Sequence, residues 1–429
     1  MLIFFYNLTL CLFLLLYCPI HIIRLILGSK YRSSTLPRLG FQAYPKANKS
    51  TKTYLIHSVS VGETQVAGTL CTALKKAQPD CRIFVSTCTE TGQAVASKLQ
   101  DADGHFYLPY DLHWQMNRML KSIQPDAQII IENDIWLNHL ACAERQGIPC
   151  FLINGKLSEN SLKSYKKHKT FGTRLFRPFK HLFVQSETYR DRFLDLGIES
   201  KDLTISGNIK LDTQVPHMNE AERQAFLQSL GLQNTNLEMS LIYGSTHAGE
   251  EELALATHLA LSKEFPHLQT IIVPRHPERF TGVCNMLKKA NASFTRASEL
   301  SQDQVSESIL VVDQMGALMK LYDIGAIGIV CGTFTPHVGG HNILEPAFYE
   351  KPFVYGPWIY KQPGFQQLCL QSKVGIQCPP EELVSQLKTL LASPEAQKQK
   401  GLEGAKIIES SRGATQHSVD EMLTLLKDL

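Results

Sequence analysis

Residues 54–86, YLIHSVSVGETQVAGTLCTALKKAQPDCRIFVS, hold one complete strand–helix–strand unit. Tyr54–Val61 reads as a strand stopped by Gly62, Thr64–Lys76 as an amphipathic helix, and Arg82–Ser86 as a second strand. Short apolar strands alternating with helices of this length make a parallel sheet covered on both faces. The alternation continues through strands Gln128–Ile131, Cys150–Ile153, Leu182–Gln185 and Leu203–Ile205, with helices at Gly92–Gln100 and Trp136–Gln146. A polar stretch, Asp212–Glu220, contains Pro216 and reads as a linker. Beyond it the pattern resumes with strands Ser240–Gly244, Gln269–Val273, Ser308–Val312, Ile327–Cys331 and Phe353–Tyr355. The expected architecture is α/β: two Rossmann-like, doubly wound domains facing a cleft. They occupy residues 29–211 and 239–429, joined through 212–238 and preceded by an N-terminal segment, 1–28. Ligands of such sheets lie beyond the C-terminal ends of the strands.

The bulk composition agrees. A chain of 429 residues is too long for one ordinary core, and 44% hydrophobic with 19% charged residues describes a folded protein. A net charge of +3 is too small to imply nucleic acid. The eleven cysteines include no C-x-x-C spacing, and Cys71, Cys81, Cys142 and Cys331 lie in apolar runs. That usage suits buried thiols in a reducing compartment and shows no zinc motif. From Leu2 to Ile23 no residue is charged, enough length to cross about 30 Å of hydrocarbon as a helix. Arg24, Lys30, Arg32 and Arg38 follow, which predicts a membrane anchor with the bulk of the protein on the cytoplasmic side. Pro19 leaves room for a helix that enters only one leaflet.

Candidate chemistry gathers at strand ends. Glu63 opens the helix after the first strand, where the plain reading is a first-turn carboxylate complementing the helix dipole. The functional reading, a general base, requires burial to offset that dipole. Glu132 ends another strand, and Asp134 is expected to cap the helix starting at Trp136. Two carboxylates at neighbouring strand ends suit a base and a stabiliser of positive charge. In the second half, Arg275 follows a strand and offers a planar phosphate ligand, unless it pairs with Glu278. Gly339-Gly340, before Asn342, Glu345 and Pro346, suggests backbone closing on an anion at a helix start, with Glu345 facing a ribose. Lys210 is placed to neutralise a phosphate or is simply solvated. Between Lys156 and Lys180 the chain is strongly basic with interleaved aromatics, which points to an anionic lipid surface rather than nucleic acid. Asp101-Ala102-Asp103 mimics a metal-binding D-x-D in a polar loop and is read as chance.

Nine collinear segments resemble the bacterial Kdo transferases, which attach 3-deoxy-D-manno-octulosonic acid (Kdo) to the lipid A precursor. They are HSVSVGE (57–63), YLPYD (107–111), IENDIW (131–136), NGKLS (154–158), GNIKLD (207–212), GSTHAGEE (244–251), VPRHPERF (273–280), DQMG (313–316) and GGHNILEP (339–346). The resemblance implies a GT-B fold, CMP-Kdo as donor, lipid IVA as acceptor, inversion at the anomeric carbon, no metal and no cofactor. It implies that Glu63 is the proton acceptor and that Glu132 and Lys210 stabilise the transition state. It implies CMP contacts at Pro274, Arg275, Met315, Gly316, Ala317, Asn342, Ile343, Leu344 and Glu345, and attachment to the inner membrane. Three departures from the family pattern stand out: Ala317 for Glu, Asn133-Asp134 for Thr-Glu, and Lys156 and Asn160 for arginines. The competing expectations are a UDP-sugar enzyme of the same fold, such as a lipid A disaccharide synthase, and a non-catalytic lipid A-binding scaffold.

Overall fold

The computed structural model describes residues 2–27, 32–301 and 304–428. Lys30 and the end of the expected anchor at Gly28 lie outside the described residues, as do the side chains of Arg24 and Lys169. The chain forms two compact units, residues 1–213 with 411–429, and residues 214–410.

The first unit contains β1 (Thr53–His57), β2 (Arg82–Thr87), β3 (Gly104–Tyr107), β4 (Ala127–Ile131), β5 (Cys150–Gly155), β6 (Phe179–Val184) and β7 (Leu203–Ile205). They pair in the order β3-β2-β1-β4-β5-β6-β7, all parallel. The period-two alternation of strands sends Leu55 and Ile130 to one core and Tyr54, Ile56, Ile129 and Ile131 to the other. Both faces are therefore buried, which is why these strands read as continuous apolar runs.

The second unit repeats the design with β8 (Ser240–Thr246), β9 (Gln269–Pro274), β10 (Thr295–Arg296), β11 (Ile309–Val311), β12 (Ile327–Val330), β13 (Phe353–Tyr355) and β14 (Ile376–Gln377). The order is β10-β11-β9-β8-β12-β13-β14, again parallel throughout. Strand order reverses at β1/β4 in the first sheet and at β8/β12 in the second, and such switch points open a crevice at the C-terminal strand ends.

Three local expectations are corrected. The expected second domain runs to residue 429, but the helix Ala414–Lys427 packs on the first unit, burying Val419 and Met422 against the helix Val61–Ala77. Burial of each side chain stabilises by about 1.5–3 kcal/mol. Asp212 fixes the return, accepting from Gly413 N at 2.7 Å and Thr415 N at 2.6 Å. Second, Asp134 does not cap the helix Leu137–Arg145. Its open N–H groups at Asn138 and His139 are taken by Asp111 of the YLPYD segment, at 2.9 and 2.8 Å. Third, Pro346 opens only a four-residue 3₁₀ turn, Pro346–Tyr349, too short for the anion-binding helix start expected there.

The helix Leu2–Leu27 contains one stretch, Ile3–Ile20, long and apolar enough to cross a membrane. Its first turns are tied to the first unit. Tyr6 donates to Asp111 Oδ2 at 2.9 Å, Asn7 donates to Asn138 Oδ1 at 3.2 Å, and His113 N donates to Asn7 Oδ1 at 3.1 Å. Phe4, Phe5, Leu8, Leu12, Phe13 and Leu16 remain exposed.

Candidate active site

In the first unit the switch point brings Glu63 and Glu132 to the same sheet edge, one following β1 and the other β4. Glu63 takes the plain role as well as the candidate one. It completes a capping box with Ser60, and its Oε2 accepts from Val59 N at 2.7 Å and Ser60 N at 3.3 Å. Among the described residues its Oε1 accepts no hydrogen bond. Burial, reinforced by the charge of Glu132, raises its pKa above the ordinary range against the pull of those two N–H groups. The direction suits a base: one bound oxygen fixes the carboxyl and the other is free to take a proton.

Glu132 is the centre of a buried ionic network. Its backbone sits in the left-handed region at φ +62°, and Asn154 at the end of β5 does so at φ +58°. Neither is glycine, so the surrounding contacts must hold these conformations. Lys210 donates to Glu132 Oε1 at 2.6 Å, and Lys156 pairs with Oε2. Asn154 accepts from Ile209 N at 3.1 Å, setting the turn that carries Lys210. Burial opposes ionisation of Glu132, but Lys210 and Lys156 outweigh it and hold the carboxyl below its usual pKa. Lys210 is thus not merely solvated. The role of Asn154 was missed by sequence reasoning, because an asparagine at a strand end gives no signal of its left-handed backbone.

A second network lies behind the first. His57, fully buried at the end of β1, contacts Ser86 Oγ through Nδ1 at 3.0 Å and Asp134 Oδ2 through Nε2 at 2.7 Å. Trp136 Nε1 donates to the same oxygen at 2.7 Å. This explains why Asp134 is unavailable as a helix cap. Burial alone would lower the His57 pKa, but the bond to Asp134 prevails and lifts it to about 10. His139, edge-on to His57 at 5.6 Å, is held neutral by burial and by the charge of His57. The sulfur of Cys88 lies with the His57 and Asp134 ligand atoms within 4.8 Å, close enough to hold an ion. The direct His57–Asp134 bond accounts for the grouping without one. A raised folded pKa contributes stability that is complete below about pH 6.5 and disappears as pH rises toward 10. Replacing His57 by Gln should therefore flatten that alkaline loss, read as melting temperature against pH; an unchanged slope between pH 7 and pH 10 would show that the pair carries no charge.

In the second unit, the candidate nucleotide residues surround the β8/β12 switch point. Pro274 ends β9 and is buried, while Arg275 is exposed and has no ion pair among the described residues. The pairing with Glu278 that would have made Arg275 structural is not formed; Arg279 instead pairs with buried Glu251 at 2.7 Å. Gly316, Gly339 and Gly340 all have positive φ, at 86°, 85° and 88°. The side chains of Ile343 and Leu344 are core, so only their backbone is available to a ligand, and Leu344 N is held by Asn342 Oδ1 at 3.2 Å. Ala317 caps the helix Leu318–Ile324 without any side-chain hydrogen bond.

Other candidates resolve simply. Asp101 accepts from Thr72, and Asp103 pairs with Lys75 at 2.9 Å, so the D-x-D is structural. In the basic stretch Tyr165, Phe176 and Phe179 pack into the core and do not form a stacking surface. Lys163, Lys166, Lys167, Arg174, Arg177 and Lys180 are exposed, three of them paired with Glu159, Asp195 and Glu144. A cavity of about 750 Å³ lined by Tyr54, Asp126, Pro149 and Phe179 lies at the N-terminal ends of β1, β4, β5 and β6, the opposite edge from Glu63 and Glu132.

Comparison with known proteins agrees with this layout. Residues 34–213 match the family model described as 3-Deoxy-D-manno-octulosonic-acid transferase (kdotransferase). The 3-deoxy-D-manno-octulosonic acid transferase of Chlamydia muridarum is 32% identical over 406 residues, covering 93% of this chain and 92% of the relative. That of Haemophilus influenzae is 31% identical over 396 residues, 91% of each chain. Among solved structures, the UDP-GlcNAc 2-epimerase of Neisseria meningitidis bound to UDP-GlcNAc superimposes with a TM-score of 0.63 at 14% identity, over 87% of this chain and 100% of that one. That likeness concerns the fold, the two-Rossmann GT-B architecture. With two relatives above 30% identity, each covered over more than nine-tenths of its length, the chain belongs to the 3-deoxy-D-manno-octulosonic acid transferase family of glycosyltransferases.

Proposed function

We propose that this Kdo transferase moves Kdo from CMP-Kdo to lipid IVA with inversion, adding one sugar or more. The unit holding Glu63 receives the acceptor, and the unit holding Arg275 binds the donor. The observation that carries the reading is the pairing of a half-free, pKa-raised Glu63 with a lysine-locked Glu132 at one switch point. Glu63 takes the proton of the acceptor hydroxyl as its oxygen attacks the anomeric carbon. The bond to the CMP phosphate breaks, and its electron pair leaves with the phosphate. Both oxygens of Glu132 are engaged, so it acts through the ammonium groups of Lys210 and Lys156, which it fixes beside reactants rich in carboxylate and phosphate. Pro274, Arg275, Met315, Gly316, Ala317 and Asn342 through Glu345 form the nucleotide site, and no metal is needed for the transfer step.

The apolar N-terminal helix and the basic stretch of the acceptor unit support attachment to the cytoplasmic face of the inner membrane. The bonds of Tyr6 and Asn7 to that unit favour a helix lying along the interface over one that leads its N-terminus across the bilayer. The deciding experiment incubates the protein with lipid IVA vesicles and CMP-Kdo and weighs the lipid product. One or more Kdo mass increments are expected, with CMP rather than UDP raising the melting temperature. Stabilisation by UDP alone would refute the donor assignment, and binding of both ligands with no increment would favour the scaffold.

A further inference from the structure

At the C-terminal end of β8 the strand is bulged: its register with β9 shifts between Gly244 and Thr246, and Ser245 lies at φ +61°. The bulge re-aims the chain just before His247. From the neighbouring strand end, after β12, the loop through Gly332 and Gly340 delivers His341. The two imidazoles meet across the switch point, Nε2 to Nε2 at 2.9 Å, with rings stacked at 5.2 Å. His276 stands edge-on to His247 at 5.5 Å. The juxtaposition is built. Buried Glu250 accepts from His247 N at 2.9 Å, from Gly332 N at 2.7 Å and from Phe334 N at 3.0 Å, tying both loops to one carboxylate. Gly332, at φ +74°, leaves no space for a side chain: a Cβ there would stand 2.7 Å from the His341 ring.

The charges around the pair do not balance. Arg275, Arg279, Lys361 and His276 face it, against Glu250 and Glu251. Glu250 is spent on backbone N–H groups, and Glu251 on Arg279 and on Thr246 Oγ1 at 2.8 Å. Arg275 and Lys361 have no ion pair among the described residues. Burial and these cations push both histidines down to about 4, so the pair is neutral at pH 7. A neutral pair joined Nε2 to Nε2 has one ring donating and the other accepting, which leaves one Nδ1 as a donor and one as a lone pair. Adding a proton turns that lone pair into a second donor and gives the pair a positive charge.

We propose that His247 and His341 form a proton-coupled anion clamp that takes up a proton as the phosphodiester of the donor nucleotide binds beside Arg275. The clamp rests on the reading of this loop cluster as the nucleotide site and adds to it a linkage between donor binding and pH. The anion supplies the negative charge the cluster lacks, and its arrival makes protonation of the pair favourable. By reciprocity, lower pH must then tighten binding.

The test uses the 5′-methylphosphate diester of cytidine, whose phosphate does not titrate near neutrality, with calorimetry in buffers of different ionisation enthalpy. Net uptake approaching one proton is expected at pH 6, with affinity rising about three- to tenfold from pH 7 to pH 6. Both effects should be lost in His247→Asn and in His341→Gln. Binding without proton uptake overturns the clamp but leaves the nucleotide site standing, and so does uptake that survives in both variants. If neither variant folds, the wild-type uptake decides. Failure of both the cytidine and the uridine diester to bind overturns the site and the clamp together. Tight, proton-coupled binding of the uridine diester alone keeps the clamp and removes the cytidine assignment.

Discussion

Glu63→Gln is expected to lower the rate of Kdo transfer by roughly 10²- to 10⁴-fold, the range of a lost general base, and to leave the thermal shift produced by CMP unchanged. The isosteric amide keeps an oxygen for the Val59 and Ser60 N–H groups, so the capping box persists and stability moves by about 1 kcal/mol or less. What it loses is the carboxylate proposed to accept the proton, whose pKa is raised by burial and by Glu132. Activity within tenfold of wild type would assign the proton transfer to another group.

The second large effect is on stability. Glu132 is 1% exposed and has an ammonium on each oxygen. Replacing both Lys156 and Lys210 by Met leaves a buried carboxylate without a counter-charge, at a cost of about 3–5 kcal/mol in chemical denaturation. Either single change leaves one lysine in place and costs less. Adding Glu132→Gln to the double variant removes the buried charge, and most of the loss should return. That recovery separates electrostatics from packing, because the triple variant lacks the same lysine stems. A double variant within about 1 kcal/mol of wild type would mean that the carboxyl is neutral in the fold.

Much of this organisation is legible in the sequence because buried parallel strands are continuous apolar runs. Tyr54–His57 and Ile327–Cys331 declare themselves in that way, and the strand-end rule then places Glu63, Glu132 and Arg275 at sheet edges. The strands β10 and β14 have two residues each and β3 only four, too short for a periodic pattern. The helix caps went astray for a different reason. Asp134 stands at a local capping position, yet a partner distant in sequence, His57, holds it, and Asp111 performs the capping from another loop. The pairing of Lys210 with Glu132 likewise joins residues far apart in the chain, which no local reading of a lone lysine reveals. The His247–His341 contact is of the same kind: two motifs read separately meet only because β8 and β12 are neighbours.

The return of the last helix to the first unit, clasped by Asp212, also bears on biosynthesis. Chains emerge from the ribosome N-terminus first, and domains commonly fold as they emerge. Here the segment that covers the helix Val61–Ala77 is made only after the whole of residues 214–410. Until residues 414–427 are made, the nascent first unit carries an open apolar groove along Val66 and Leu70, awaiting Val419 and Met422. The intervening unit, in contrast, has its complete sequence available before that segment is made. Synthesis of residues 414–427 is thus a folding step for the first unit, and a protein cut before Ala414 loses part of a core that lies in its N-terminal half.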